Sequence, residues 1–265
     1  MKKYFITTPI YYVNDKPHIG HAYTTILADT LSRFRSIIGE QSFLLTGLDE
    51  HGLKVQQAAE KNKVSPEIHC DLMAPAFINL WEKLNINYSD FIRTTEQRHK
   101  RVVQNILNQV YENGDIYQDE YEGWYSISEE RFITEKEVES GLFGEVKKIK
   151  EKNYFFRMSK YQSELIEKIT SDELSIQPKS RKNEVLGFLK KDLSDLCISR
   201  PKSRLEWGIE IPFDKDYVTY VWFDALINYI SAPKYSEDNK IFDSHWPADV
   251  HLIGKDILTT HSVYW

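Results

Sequence analysis

Two histidines three residues apart, His18 and His21, follow an apolar run in "TTPIYYVNDKPHIGHAYTT" (7–25). At the mouth of a helix that spacing puts both on one face of the first turn. Free backbone N–H groups and the positive end of the helix dipole favour an anion there and disfavour imidazolium. Neutral imidazoles at such a place donate N–H bonds to phosphate oxygens. Gly20 removes a side chain where a flat base would approach the backbone. Taken locally, the pair also fits a surface pair, or half of a metal site completed by Asp49 or His51.

Three further stretches carry chemistry-bearing residues. Asp49, in "TGLDEHG" (46–52), stands at the end of a second apolar run, the edge at which open α/β sheets bind ligands. Read alone, it is a helix-capping aspartate ahead of Gly52, a role compatible with binding. "YVWFDALINYI" (220–230) places Trp222, Ala225, Leu226 and Tyr229 at helical spacing, which by itself reads as a core stripe. "HLIGKDI" (251–257) sets Gly254 and Asp256 directly after a strand-like run.

These residues need elements to hold them. Tyr4 to Ile10 and Ser42 to Thr46 read as strands. The run from His18 reads as a helix with Ile26, Leu27, Leu31, Phe34 and Ile38 at helical spacing, stopped by Gly39. Further helices are expected from Gly52 to near Asn62, from the capping Ser65 and Pro66 toward Leu84, and from Thr95 to Asn113-Gly114. Strands alternating with helices predict an α/β protein with a doubly wound, parallel, Rossmann-like sheet. After Gly114, Tyr117, Tyr121, Trp124, Tyr125 and Phe132 sit among acidic residues, and a lysine-rich stretch runs to Phe156. That texture predicts an inserted β-rich connective module, closing with helices near Tyr161–Thr170 and Ser180–Lys191. The strand–helix rhythm is expected to return at Val218–Val221 and His251–Ile253. The division is therefore 1–114 for the first half of a nucleotide-binding domain, 115–198 for the insert, and 199–265 for the start of a second half.

Bulk properties narrow the function classes. With 265 residues, 41% hydrophobic and 28% charged, the chain has an ordinary globular composition and ample core. A formal charge of -6 excludes a general basic field, so nucleic acid would meet only a local patch. Lys179-Ser180-Arg181-Lys182 with Lys190-Lys191 is the candidate, read first as a solvated helix face. Cys70 and Cys197 lack metal spacing and fit reduced, packed thiols. With no spanning apolar run and no signal core, a cytoplasmic protein without a membrane partner is expected.

Taken together and in order, "PHIGH", "TGLDEHG", "ISRPKSRLEWGIEIP" (198–212), "YVWFDALINYI" and "HLIGKDI" resemble the methionyl-tRNA synthetases, of the class I aminoacyl-tRNA synthetases. The resemblance covers essentially the whole chain and implies the class I synthetase fold. It also implies a methionine–tRNA ligase: methionine reacts with ATP, accompanied by Mg2+, to give methionyl-adenylate, which passes to the 3′ end of the methionine tRNA. By that likeness His18 and His21 are catalytic. They bind ATP together with Asn14, Gly20, Gly254 and Asp256. Methionine is held by Ile10, Tyr12, Asp49, Trp222, Ala225, Leu226, Tyr229, Ile257 and His261. Arg200 couples the insert to the catalytic floor, and Trp265 flanks the pocket.

The sequence also departs from the family. Where many relatives carry a zinc knuckle of Cys-x-x-Cys pairs, "YSISEERF" (125–132) puts Ser126 and Glu129, and "LFGEV" (142–146) replaces the second pair; no zinc or other metal is expected. Leu226 stands where some relatives have proline. The Lys-Met-Ser-Lys-Ser loop and the anticodon-reading domain are not found before Trp265, and "RMSK" (157–160) in the insert is a decoy. The chain is thus expected to be an incomplete catalytic fragment with an exposed strand edge and helix face. Three rival readings stand beside this one. A cysteine or branched-chain synthetase is the nearest, the cysteine enzyme being disfavoured by Tyr12, Trp222, His261 and an insert without cysteine ligands. A nucleotidylyltransferase is disfavoured by the long aromatic insert and "YVWFDA" (220–225). A non-catalytic module that binds methionine or another protein is the third.

Overall fold

The computed structural model describes residues 2–126, 131–133, 135–142 and 144–265. Its centre is a four-stranded parallel sheet of β1 (Lys3–Tyr12), β2 (Gln41–Asp49), β3 (Asp90–Arg93) and β11 (Val250–His251), in the order β11-β1-β2-β3. The strand segments 4–6 and 44–45 are uniformly apolar because both faces are covered. Tyr4, Ile6 and Leu44 pack against Ala28 of α1 (Ile19–Ile37) on one side. Phe5 and Leu45 pack on the other side against Leu226, Tyr229 and Ala232.

A register shift between Thr7 and Ile10 decides what reaches the site. Thr7 pairs with Leu45, but Ile10 pairs with Gly47 and Tyr12 with Asp49. One extra residue in β1 therefore inverts its alternation. Ile10 and Tyr12 join Gly47 and Asp49 on the Leu45 face, and Tyr11 joins Leu48 on the other. Pro9 lies inside the shift, where its missing N–H interrupts no ladder. Gly47 is required at its position: a Cβ there would strike the Ile92 carbonyl of β3.

Helices α2 (Leu53–Lys61) and α3 (Pro66–Lys83) follow β2. Ser65 caps α3 by accepting the Ile68 N–H at 3.3 Å, with Pro66 in the first turn, as its sequence predicts. Phe77 and Trp81 of α3 pack with Tyr11, Leu48 and Val55. α4 (Gln97–Glu112) leads into a second, antiparallel sheet of β4 (Ile116–Ser126), β5 (Arg131–Ile133), β6 (Val146–Phe156) and β7 (Leu196–Cys197). Between its strands lie α5 (Glu135–Glu139), α6 (Gln162–Thr170) and α7 (Lys179–Phe188). A third sheet joins β8 (Ser199–Pro201), β9 (Glu210–Ile211) and β10 (Asp214–Thr219), before α8 (Val221–Leu226), α9 (Asn228–Ser231) and α10 (Asn239–His245).

Three expectations need correction. The strand expected at Val218–Val221 ends at Thr219 and belongs to the antiparallel third sheet; Val221 already starts α8. β3 is added, a four-residue strand with charged ends and too little apolar length to show in the pattern. In α1 the apolar residues largely do not face the core. Thr25, Ala28, Asp29 and Ser32 are the buried ones, whereas Ile26, Leu27, Phe34 and Ile38 are exposed. Small residues let α1 lie close on the sheet, and Asp29 is matched by Arg33 at 2.7 Å and the Asn87 N–H at 2.9 Å. Among the described residues no helix is long and apolar enough to cross a membrane.

Candidate active site

A cavity of about 420 Å³ opens at the C-terminal ends of β1 and β2. Ile10, Tyr12 and Asp49 bring the strand ends to it, and His18, Gly20 and His21 bring the mouth of α1. Trp222, Ala225, Leu226 and Tyr229 form the wall from α8 and α9. Gly254, Asp256, Ile257 and His261 reach it from the turns after β11.

Three residues named from sequence do not line this cavity. Asn14 lies exposed in the loop before α1. Trp265 packs its ring 5.6 Å from Tyr229 and 5.8 Å from Trp246, behind the wall. Arg200 is buried: it donates to the Ser199 carbonyl at 2.7 Å and to Cys197 Sγ at 3.3 Å. Its guanidinium lies 4.5 Å from the Tyr220 ring and 5.6 Å from that of Tyr125 in β4. An arginine beside proline reads first as an exposed charge, but two aromatic faces and a carbonyl compensate its burial. Ser126, at a position of the expected zinc knuckle, is buried in β4, and Glu129 lies outside the described residues. Among the described residues no group of three His, Cys, Asp or Glu is placed to hold a metal ion.

The two histidines at the α1 mouth cap the helix reciprocally. The Gly20 N–H donates to His18 Nδ1 at 3.0 Å, and the His18 N–H donates to His21 Nδ1 at 3.2 Å. The rings stack with centroids 3.8 Å apart, and His21 leans on Tyr11 at 4.6 Å. Both Nδ1 atoms accept, so the ring proton of each neutral imidazole sits on Nε2. Burial, then the neighbouring His18, pulls the His21 pKa down to about 4. The mouth of α1 thus presents N–H donors without positive charge.

At the other end, His261 Nδ1 donates to the Ile257 carbonyl at 3.0 Å, leaving Nε2 to accept the Tyr229 hydroxyl proton at 2.6 Å. Burial lowers the His261 pKa, which keeps that imidazole neutral, and raises that of Tyr229. Behind Tyr229, at 4.5 Å between rings, His251 bonds Thr7 Oγ1 at 2.8 Å. The end of β2 is pinned as well. Glu50 takes Arg93 Nε at 2.7 Å and the Thr95 hydroxyl, while His51 bonds Asp224.

Sequence reasoning missed Tyr11, Thr24 and Asn228 among the lining residues. Thr24 stands three residues beyond His21, so helical spacing would have found it. Tyr11 was hidden by the shift in β1. His99 and Asp224 leave no local trace, because their partners lie on other elements.

Comparison with known proteins agrees with this architecture. The family described as tRNA synthetases class I (M) matches residues 4–142 and 139–265. The chain belongs to the class I tRNA synthetases. Methionine–tRNA ligase of Clostridium acetobutylicum is 49% identical over 270 residues, covering 100% of this chain and 42% of that protein. The Bacillus subtilis methionine–tRNA ligase is 45% identical over 279 residues, covering 99% of the chain and 42% of the relative. This synthetase chain therefore spans under half the length of those relatives. Among solved structures, Mycobacterium tuberculosis methionyl-tRNA synthetase in complex with methionyl-adenylate has a TM-score of 0.94 at 40% identity, covering 100% of this chain and 53% of that one. The apo form has a TM-score of 0.83 at 37% identity, covering 100% and 52%.

Proposed function

We propose that this synthetase chain forms the methionine- and ATP-binding part of a methionine–tRNA ligase. The observation that carries the reading is one cavity with an acidic, aromatic end at Asp49, Trp222 and Tyr229 and a donor end at His18 and His21. Asp49 receives the α-ammonium group of methionine. Ile10, Tyr12, Trp222, Ala225, Leu226, Tyr229, Ile257 and His261 enclose its thioether. Asn14, Gly20, Gly254 and Asp256 serve the nucleoside, with Asp256 accepting ribose hydroxyl bonds.

In the reaction a methionine carboxylate oxygen bonds to the α-phosphorus of ATP and the bond to pyrophosphate breaks. Mg2+ enters with ATP as part of the substrate and offsets charge on the departing pyrophosphate. His18 and His21 donate Nε2–H bonds to the phosphate oxygens, where charge builds in the transition state. The methionyl-adenylate then passes its acyl group to the 3′ end of the methionine tRNA. Domain limits of 1–114, 115–198 and 199–265 belong to the same reading, with the three sheets as support.

Calorimetric titration of the folded chain with methionine, leucine and cysteine tests it. Heat for methionine alone is the expected outcome. Equal heats for leucine, or none for any of the three from a folded sample, would overturn the assignment of the pocket.

A further inference from the structure

A deeply buried polar cluster near the cavity is not used by the chemistry above. Asp224 lies on α8 between the wall residues Trp222 and Ala225, is fully buried, and does not line the cavity. One carboxylate oxygen faces His51 Nδ1 at 2.6 Å and the other faces His99 Nε2 at 2.7 Å. His99 Nδ1 in turn meets Ser231 Oγ of α9 at 2.8 Å. His51 and His99 are 2% and 0% exposed, so these bonds lie away from bulk solvent.

The proton order follows from chemistry. A carboxylate only accepts, so both ring nitrogens facing it carry hydrogen. Burial pushes the Asp224 carboxyl up, but the two histidines outweigh it and hold it down at about 2. On the far side of the ring, His99 Nδ1 meets the Ser231 hydroxyl, which also lies 3.3 Å from the Asn228 carbonyl. One side chain of α8 thereby ties three other elements: the residues following β2, α4 and α9. Two of the tied elements carry opposite ends of the methionine site. Asp49 precedes His51 by two residues, and Trp222, Ala225 and Leu226 flank Asp224.

We propose that Asp224 is a positioning residue, which clamps His51 and His99 and so fixes the span between the Asp49 carboxylate and the apolar wall on α8. This rests on the methionine reading of the pocket. The alternative is a satisfied polar cluster that contributes stability alone. Glu50 lends the clamp a rigid base, since Arg93, Thr94, Thr95 and Trp207 all bond it. A change at Asp224 would therefore move α8 relative to a fixed strand end.

Asp224→Asn is the discriminating variant. The amide keeps the volume and accepts from one histidine while donating to the other, which takes its opposite tautomer. For the parent and D224N we would measure melting, methionine and ATP affinities by calorimetry, and backbone hydrogen exchange. The expected result is a folded variant with methionine affinity weakened at least tenfold and ATP affinity within twofold. Exchange should quicken in α8, at 221–226, and not in α6. His99→Gln, which keeps a donor toward Asp224, should hold methionine affinity within threefold, whereas His99→Leu should lose tenfold. Methionine affinity within twofold of the parent in D224N would overturn the proposal, as would equal loss of methionine and ATP. If the parent itself binds no methionine, the pocket reading fails. Exchange at 221–226 then judges the clamp alone, and no acceleration in D224N would overturn it.

Discussion

The two ends of the cavity are built in opposite ways. At the mouth of α1, the bonds that orient His18 and His21 join residues two and three apart, on an exposed turn. At the Asp49 end, the principal orienting bonds cross the fold: His51 to Asp224, Glu50 to Arg93, Tyr229 to His261. The difference matches the tasks proposed for them. Phosphate recognition needs donors of the right tautomer, which a single helical turn can supply. Selecting a side chain by shape is worth only about 1–3 kcal/mol per methylene, so its walls must not drift.

Breaking the buried end should have the largest effect. Asp49→Asn leaves the incoming ammonium group without its charged partner, and removing one member of a buried pair costs roughly 3 kcal/mol or more. Methionine affinity should fall over a hundredfold by calorimetry. Affinity for ATP should hold, because its proposed contacts lie on α1 and after β11. A loss below threefold would show that the ammonium group binds elsewhere.

Acid should act next. Burial, then the neighbouring His261, holds the His251 pKa down to about 3, against 6.5 for an ordinary histidine. A base with a lowered pKa binds fewer protons folded than unfolded, so it costs no stability above pH 6.5. Stability is then lost as pH falls from 6.5 toward 3, by about 1.4 kcal/mol per pH unit for one such group. Asp224 acts in a different window: its lowered pKa contributes stability that is present above 3.8 and lost only as pH falls toward 2. Denaturant titrations at pH 7, 5.5 and 4 should show the decline, and His251→Asn should make it shallower, with His21 and His261 supplying the remainder. An unchanged slope in that variant would remove His251 from the account.

At the exposed end the effects should be smaller and confined to binding. His21→Ala removes one N–H donor, a loss of about 1.5 kcal/mol where the acceptor is charged. Affinity for a non-hydrolysable ATP analogue with Mg2+ should drop about tenfold. Stacking of His18 and His21 is local, so the melting temperature should stay within about two degrees. A large fall in melting temperature would mean that the pair holds α1 to the sheet.

This contrast also explains what could be read from the residues in order. The helix mouth at His18, the Ser65 cap of α3 and the acidic strand end at Asp49 are local, and their sequence predicts them. Ile10 and Tyr12 could be named only by likeness, because the register shift that turns them inward has no signature beyond Pro9. β3 is too short for a period to register. The clamp on Asp224 was illegible for a stronger reason: His51, His99 and Asp224 belong to separate stretches, and only the packing of α4 and α8 beside β2 makes one cluster of them. Judged by spacing alone, Trp222, Ala225, Leu226 and Tyr229 read as a core stripe, and only the family likeness makes them a pocket wall. In the structure Tyr229 is both, 1% exposed and lining the cavity.

The smallest effect tests the correction made to α1. Helical periodicity assigns Ile26, Leu27, Leu31, Phe34 and Ile38 to one face, yet all but Leu31 are exposed, as is their neighbour Ile37 at 83%, while Ala28 is fully buried. If burial rather than residue type decides, Ile37→Lys removes almost no packed area and should change stability by less than about 0.5 kcal/mol. Ala28→Leu should do the opposite, forcing extra volume between α1 and the sheet at a cost of about 1–3 kcal/mol. Denaturant melts of the two variants measure both numbers. Ile37→Lys proving the more damaging would return the apolar stripe to the core and displace α1 from the position that sets His18 and His21 over the cavity.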